Sequence, residues 1–365
     1  MIVETINYPS QVSLMLNAPS FIQHQDRLHC FFFGGDYECA PRTALWHAWR
    51  PFPSSGELLP HGFADQHWNI EPLVLEDDVF QGNSVPVEDG GKLWLFFVTG
   101  SGTNWEKSRI RTLVSDDNGL SWSERHVLDL PPGWMVGTAA LTTSWNELIL
   151  PLYHERAGIG RFAIFSVGNM EAGPTVLSGV ISSDSWLIQP AIVEWHGELL
   201  GFLRSRSGYL FKSKSTDRGR TWEQALSTDI PNPNSRIAVA SLGSGEIVMA
   251  YNPLRSGVIR FGPGQLCSGR EILRVARSLD GALSWPRELR GDLAYGTGEY
   301  GYPWIVITSR GDLGVGYQHS RVVIKLAWLQ GEHALPSTDG GSQSFVEEQE
   351  WLVSMHHSSV ANGWQ

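Results

Sequence analysis

Polar side chains that could bind and transform a small ligand recur in this sequence at two kinds of position relative to its apolar runs. The first kind lies near the start of an apolar run and includes Asn17, Asn83, Gln189, Arg236 and Tyr302. The second kind follows a later apolar run and includes Asp36, Glu38, Trp105, His154 and Arg204. Arginines bind carboxylates through paired hydrogen bonds, whereas carboxylates and histidines can transfer protons. These residue types predict a polar, electropositive site with aromatic walls for a small anionic or hydroxyl-rich ligand.

Two of these positions are candidates for proton transfer. Glu38 is the leading candidate for a general acid or base, because it lies in a glycine-containing loop that is expected to face the site, and Asp36 in the same loop is its alternative. His154 could also exchange protons near neutral pH, and the alternative interpretation is a structural histidine bonded to Glu155.

A repeated turn in the sequence indicates the strands that would position these residues. SDDNGLSW occupies residues 115–122, STDRGRTW residues 215–222 and SLDGALSW residues 278–285. In each segment, called an Asp turn below, the aspartate can accept hydrogen bonds from nearby backbone N–H groups, and the tryptophan can pack back on the sheet. Glycine at the fifth position suits a positive φ, although the third copy has Ala282 there. The repeat predicts strand pairs fastened by local contacts.

A weaker repeat covers most of the chain. Six units place an aliphatic residue directly after a polar turn, at Leu28, Leu93, Leu148, Leu199, Ile247 and Leu313, with separations of 65, 55, 51, 48 and 66 residues. Such spacing is typical of propeller blades of four antiparallel strands. We therefore predict an all-β, six-bladed β-propeller over residues 1–335, closed by a strand from residues 1–16, and a tail over residues 336–365 with a possible short helix. The inner strands of such a ring end at a shared central cavity.

Composition restricts the partners. The formal net charge of −11 argues against nucleic acid and anionic membranes, which attract basic surfaces, and no run of about 18 apolar residues is present to span a bilayer. Cys30, Cys39 and Cys267 lack metal-ligand spacing, and no nucleotide-binding or zinc-protease motif occurs. We expect a cytoplasmic protein without a cofactor or metal, with a small-molecule partner and an undetermined oligomeric state.

Five segments carry a family resemblance: FFFGGDYECAP, IQPAIVEWHGELLGFLRS, STDRGRTW, PNPNSRIAVA and EYGYPWIVI. With the Asp turns and the blade count, they resemble the sialidase-like six-bladed propellers with Asp-box (BNR) repeats, over roughly residues 12–330. The resemblance implies that Arg204 and Arg270 correspond to two of the three arginines that hold the substrate carboxylate. It also implies that Tyr302 corresponds to the nucleophile and that the loop of Asp36 and Glu38 supplies the acid or base.

Two positions depart from that family pattern. Asn17 stands where the first arginine is expected, and Gln189 stands where a glutamate should activate the tyrosine. An amide cannot take the proton of a phenol, which is a poor nucleophile at neutral pH without a base. The sequence therefore predicts a divergent member rather than a classical sialidase.

The leading functional hypothesis is an intracellular enzyme that cleaves a glycosidic bond of a small sugar-like or carboxylated substrate, by hydrolysis or elimination. Asn17, Asn83, Gln189, Arg236 and Trp105 would line the substrate pocket with Arg204 and Arg270. One alternative is a propeller used for addition, cyclisation or cycloaddition of a biosynthetic intermediate. Another is a non-catalytic ligand-binding propeller.

Overall fold

The fold is a ring of six antiparallel sheets, as the computed structural model shows. The structure describes residues 1–7, 12–52, 67–243, 245–255 and 269–329. The predicted all-β six-bladed propeller is thereby confirmed. The predicted tail over residues 336–365, Cys267 and most of the expected insertion between Leu254 and Gly269 lie outside the described residues. Within the described ranges no helix is both long and apolar enough to cross a bilayer.

The strands follow chain order around the ring. Blade 1 contains β2 (Met15–His24), β3 (Arg27–Gly35), β4 (Ala44–Pro51) and β5 (Asn69–Val74). Blade 2 contains β6 (Phe80–Asp89), β7 (Lys92–Gly100), β8 (Arg109–Ser115) and β9 (Ser123–Arg125). Blade 3 contains β10 (Trp134–Met135), β11 (Leu141–Thr142), β12 (Glu147–His154), β13 (Ile159–Ser166) and β14 (Val176–Leu177). Blade 4 contains β15 (Leu187–Trp195), β16 (Glu198–Ser205), β17 (Tyr209–Ser215) and β18 (Leu226–Pro231). Blade 5 contains β19 (Ala238–Ser241), β20 (Ile247–Tyr251), β21 (Ile272–Ser278) and β22 (Arg290–Tyr295). Blade 6 contains β23 (Tyr300–Ile307), β24 (Leu313–His319) and β25 (Val323–Leu329), with β1 (Ile2–Thr5) as its outermost strand. In the part of the chain that the structure describes, three short 3-10 helices cover Trp105–Lys107, Met170–Ala172 and Arg287–Leu289.

Blade 4 shows how local sequence sets the strand pairing. His196 and Gly197 both have a positive φ, of 50° and 80°, which is the geometry of a two-residue hairpin whose twist matches that of the strands. The turn aligns Trp195 with Glu198 and sets the register of β15 against β16. Because each sheet packs between two neighbouring blades, both faces of β16 are buried from Leu199 to Ser205.

The Asp turns fasten strands within a blade and also connect blades. In the second copy, Asp217 accepts hydrogen bonds from the Ser215 hydroxyl at 2.9 Å and the Thr221 hydroxyl at 2.6 Å, as well as from backbone N–H groups. Trp222 packs on Gly201 of its own blade and stacks on Phe162 of blade 3, with ring centroids 4.5 Å apart. Trp222 therefore packs between two blades. The sequence interpretation had included only its contact within its own blade.

The N-terminal strand closes the ring, as predicted. β1 pairs antiparallel with β25, which places Glu4 opposite Leu326. The buried Glu4 carboxylate accepts hydrogen bonds from Arg50 Nη2 at 2.7 Å, from Trp68 Nε1 at 3.3 Å and from Trp328 Nε1 at 2.5 Å. Because Arg50 belongs to blade 1 and Trp328 to blade 6, this ion pair joins the first blade to the last.

Candidate functional site

The inner strands of four blades share one irregularity near the axis. The register of the inner pair shifts between Asn17 and Ser20, and equivalent shifts occur in blades 2, 4 and 6. Ala18, Gln189 and Tyr302 occupy these bulges with φ of 50° to 53°, a strained conformation for residues other than glycine. Each of these residues precedes a proline. Strain of this kind concentrates at functional sites, and here it directs Gln189 and Tyr302 towards the axis.

One side of the axial site is a hydrogen-bonded group from blades 2, 3 and 4. The hydroxyl of Tyr153 accepts a hydrogen bond from Asn83 Nδ2 at 3.0 Å and another from Gln189 Nε2 at 3.3 Å. Gln189 Oε1 in turn accepts one from Arg204 Nη1 at 3.0 Å. Burial raises the pKa of Tyr153, so this phenol stays protonated. The Nε of Arg204 is buried and has no hydrogen-bond partner among the described residues.

The other side is an ion-pair chain from blades 5, 6 and 1. The buried carboxylate of Glu299 accepts from Arg270 Nη1 at 2.9 Å and from Arg321 Nε at 3.4 Å. Arg321 Nη1 also donates to Glu38 at 2.9 Å, and the second oxygen of Glu38 accepts from Trp105 Nε1 at 3.2 Å. Glu38 is consequently held by two donors from different blades and stays partly exposed to the site.

A second carboxylate shares the site with Glu38. Glu155 follows β12, and burial raises the pKa of its carboxyl group. The nearby charge of Glu38 raises this pKa further, whereas the charges of Arg204 and Arg206 oppose the shift. A carboxyl group whose pKa is raised is suited to donate a proton, and a second carboxylate in the same site can act as the base.

Arg236 forms the floor of the site. Its guanidinium donates to the backbone oxygens of Gly137 at 2.9 Å, Pro19 at 2.9 Å and Tyr302 at 2.7 Å, so it ties four blades together at the axis. Burial lowers its pKa to about 9. The side chain is fully buried. This corrects the prediction that Arg236 contacts a ligand: it supports the Tyr302 bulge from below.

Past this floor, the opposite end of the ring opens into a separate cavity. The cavity has a volume of about 530 Å³ and is lined by residues that include Leu141, Glu194, Leu242 and Ile307. These residues lie at the far ends of the inner strands, so the cavity does not belong to the site of Glu38.

The structure brings most of the predicted site residues together. Glu38, Arg204, Arg270, Tyr302, Asn83, Gln189 and Trp105 all take part in the two groups described above or contact them. The half-buried ring of Tyr302 lies 5.5 Å from the guanidinium of Arg270 and 5.0 Å from that of Arg236, and packs with Trp105 against the cluster of Met15, Ala18 and Phe33.

Three predicted residues lie apart from this group. Asn17 is fully buried and uses its side-chain oxygen to accept from the backbone N–H of Ala18 at 2.8 Å. Asp36 is exposed. His154 alternates with Tyr153 along β12, and its ring lies against Trp134, with centroids 5.6 Å apart, instead of facing the Tyr153 hydroxyl.

Sequence reasoning did not assign a role to four further residues of the site. Tyr153 directly precedes His154, and Glu299 begins the segment EYGYPWIVI. Glu155 and Arg321 lie in loops after the second strands of their blades. The available signal was positional, because Tyr153 lies one residue before the end of β12 and Glu155 directly follows that strand, just as Arg204 lies one residue before the end of β16. Only the fold shows that these ends meet.

Comparison with solved structures gives the same architecture. The chain is 14% identical to the Hadza microbial sialidase Hz136, covering 91% of this chain and 69% of that one with a TM-score of 0.69. It is also 14% identical to the intramolecular trans-sialidase from Ruminococcus gnavus, covering 91% and 98%, with a TM-score of 0.66. The NanB sialidase from Streptococcus pneumoniae is 12% identical, covering 88% and 69%, with a TM-score of 0.65. At such identities the likeness shows the fold alone.

The sequence comparisons address the family directly. No curated protein matched the sequence. Residues 26–315, most of the chain, match the family described as BNR repeat-like domain. Together with the sialidase-like ring of six blades, this match shows that the chain belongs to the BNR repeat-like family.

Proposed function

We propose that this protein is a glycosidase-type enzyme that cleaves a carboxylated sugar in the axial site without a covalent tyrosine intermediate. The observation that carries the proposal is the presence of two carboxyl groups, Glu38 and Glu155, in a site that also holds Arg204, with the pKa of Glu155 raised by burial. Canonical glycosidic cleavage uses such a pair, one group as acid and the other as base or nucleophile. The likeness of the fold to solved sialidases supports the substrate class.

Each residue has a distinct role in this mechanism. Glu155 donates its proton to the oxygen of the leaving group as the glycosidic bond breaks, because burial raises the pKa of its carboxyl group and so favours the protonated form. Glu38, held by Arg321 and Trp105, accepts a proton in the same step or the next. Arg204, which is 8% exposed and is held by Gln189, binds the substrate carboxylate through its guanidinium group.

Tyr302 is a positioning and stacking residue in this proposal. Gln189 stands where the family pattern has an activating glutamate. Its side chain is an amide and cannot remove the proton of a phenol. The side-chain oxygen of Gln189 also accepts from Arg204, and its nitrogen donates to Tyr153. No base for a tyrosinate nucleophile therefore comes from this position, and the two carboxylates remain for proton transfer.

The test measures the turnover of aryl glycosides of sialic acid and of uronic acids. Glu38→Gln and Glu155→Gln are expected to lower kcat by about 10²- to 10⁴-fold, the usual contribution of a general acid or base. Asp36→Asn, the same change on the same loop but at an exposed position, is the matched control and should leave kcat unchanged. The assignment fails if Glu38→Gln keeps full activity or if Asp36→Asn abolishes it.

A second measurement separates hydrolysis from elimination. In hydrolysis Glu38 takes a proton from the attacking water, and ¹⁸O from labelled water enters the sugar product. In elimination Glu38 takes a proton from a ring carbon, and the product carries a new double bond and no label. The pH profile adds a check, because activity should fall as pH rises through the pKa of Glu155, and Glu155→Gln should remove that limb.

A further inference from the structure

Two exposed arginines next to the axial site place their guanidinium groups over aromatic rings. Arg206 is in the turn between β16 and β17, and its guanidinium lies 4.0 Å from the centroid of the Trp186 ring. Arg255 lies 4.0 Å from the centroid of the Tyr209 ring and packs along Gly208 of the same turn. The two cations therefore share one edge of blade 4.

These two cations lack the carboxylate partner that several other arginines of the protein have. Arg42, Arg111, Arg220 and Arg274 each form an ion pair with an aspartate or glutamate. Within the described ranges, by contrast, no carboxylate oxygen lies within ion-pair distance of Arg206, and the same holds for Arg255. An aromatic face holds a guanidinium plane in place without cancelling its charge. On a chain with a formal net charge of −11, such fixed positive charge points to an anionic ligand.

The position of Arg206 connects this pair to the axial site. Arg206 follows Arg204 by two residues, which corresponds to at most about 7 Å of extended chain. Trp186, on which Arg206 lies, donates from Nε1 to the backbone oxygen of Glu155 at 2.8 Å. The charge of Arg206 also acts on the Glu155 carboxyl group. A sugar held at Arg204 would therefore have its neighbouring unit within reach of Arg206.

We propose that Arg206 and Arg255, on their aromatic supports Trp186 and Tyr209, form a second anion subsite, so that the substrate is an oligosaccharide with carboxylates on two adjacent sugar units. The proposal rests on the proposed function, because it takes the first carboxylate to be bound at Arg204. The rings supply a stacking surface for the second sugar, and the guanidinium groups bind its carboxylate.

The test compares the binding of monoacidic and diacidic probes by calorimetry in the Glu38→Gln background. The probes are methyl sialoside against α-2,8-linked disialic acid, and methyl galacturonide against digalacturonate. We expect at least one diacid to bind about tenfold more tightly than its monoacid. Arg206→Ala should remove about tenfold of that affinity, which is about 1.4 kcal/mol, and leave the monoacid unaffected. Arg255→Ala should act in the same direction.

The matched control is Arg218→Ala. Arg218 is also exposed and lies 5.8 Å from the centroid of a tryptophan ring, that of Trp145, but it belongs to an Asp turn. Its removal should change the affinity for neither probe. Equal affinity for monoacid and diacid, an equal loss of both on Arg206→Ala, or the absence of binding would overturn the subsite.

The two proposals can fail separately. If monoacidic aryl glycosides are cleaved in a Glu38-dependent manner but diacids gain no affinity, only the subsite is refuted. If diacids bind in an Arg206-dependent manner but Glu38→Gln and Glu155→Gln turn over normally, the catalytic assignment is refuted and the subsite stands.

Discussion

Replacing Glu4 by glutamine removes the negative charge from the buried ion pair that closes the ring. The side chains of Arg50 and Glu4 are 0% and 2% exposed, and the Glu4 carboxylate also accepts from the indoles of Trp68 and Trp328. Burial lowers the pKa of Arg50, and the charge of Glu4 opposes this shift. The variant therefore leaves a desolvated guanidinium without its carboxylate.

The size of the effect follows from burial. Removing one partner of a buried ion pair costs about 3–5 kcal/mol, and we expect the lower end because glutamine can still accept one hydrogen bond. The exposed pair Arg42–Asp77 is the matched control, with exposures of 63% and 78%. Asp77→Asn should cost less than about 1 kcal/mol. The predicted difference between the two variants is therefore at least about 2 kcal/mol.

The assay is urea unfolding followed by the fluorescence of the 16 tryptophans, which include the two whose indoles donate to Glu4. The double variant Glu4→Met with Arg50→Met should recover much of the lost stability, since a packed apolar pair replaces the charges. If Glu4→Gln and Asp77→Asn destabilise equally, the pair does not hold the ring closed and the reasoning from burial is refuted.

Three further predictions concern stability. Asp217→Ala should cost about 1–3 kcal/mol in urea unfolding, because the hydroxyl and N–H donors of the turn lose their acceptor; a smaller loss than for the exposed Asp36→Ala would contradict this. His29, whose Nδ1 lies 3.0 Å from His47 Nε2, has its pKa lowered to about 4 by burial, below about 6.5 for an unfolded histidine. The contribution of this shift to the free energy of unfolding, about 3 kcal/mol, should be complete above pH 6.5 and be lost as pH falls to 4. His29→Gln should flatten this pH dependence of stability. An unchanged slope would exclude His29 as its source. Arg236→Lys cannot donate to the same four carbonyl oxygens, so it should lower the Tm and kcat together, and a normal kcat would separate the floor from the site.

Local patterns in the sequence were sufficient to predict the blades. The turn at His196 and Gly197 and the Asp turn ending at Trp222 depend on φ preferences and hydrogen bonds between residues close in the chain. Such interactions can be inferred from residue type and spacing. The six-unit repeat then indicated a ring, and its closure by residues 1–16 followed from the need to cover an open sheet edge.

The site was predicted only in part, because its contacts join residues far apart in sequence. Glu38 and Arg204 were identified as candidates from their positions after second strands. Their partners were not, because the contact of Glu38 with Arg321 spans 283 positions. The role of Arg236 was mistaken for the same reason, since its acceptors belong to other blades.

The sequence by itself therefore determines the repeated unit, the turns and the family, because these depend on periodicity and on interactions within a few residues. The tertiary structure alone decides which strand ends meet at the axis. It joins Glu38 to Arg321, couples Arg204 to Gln189 and buries Arg236 beneath Tyr302. The physical reason is that closing the ring brings the ends of six inner strands together, whereas their order in the chain carries no record of those distances.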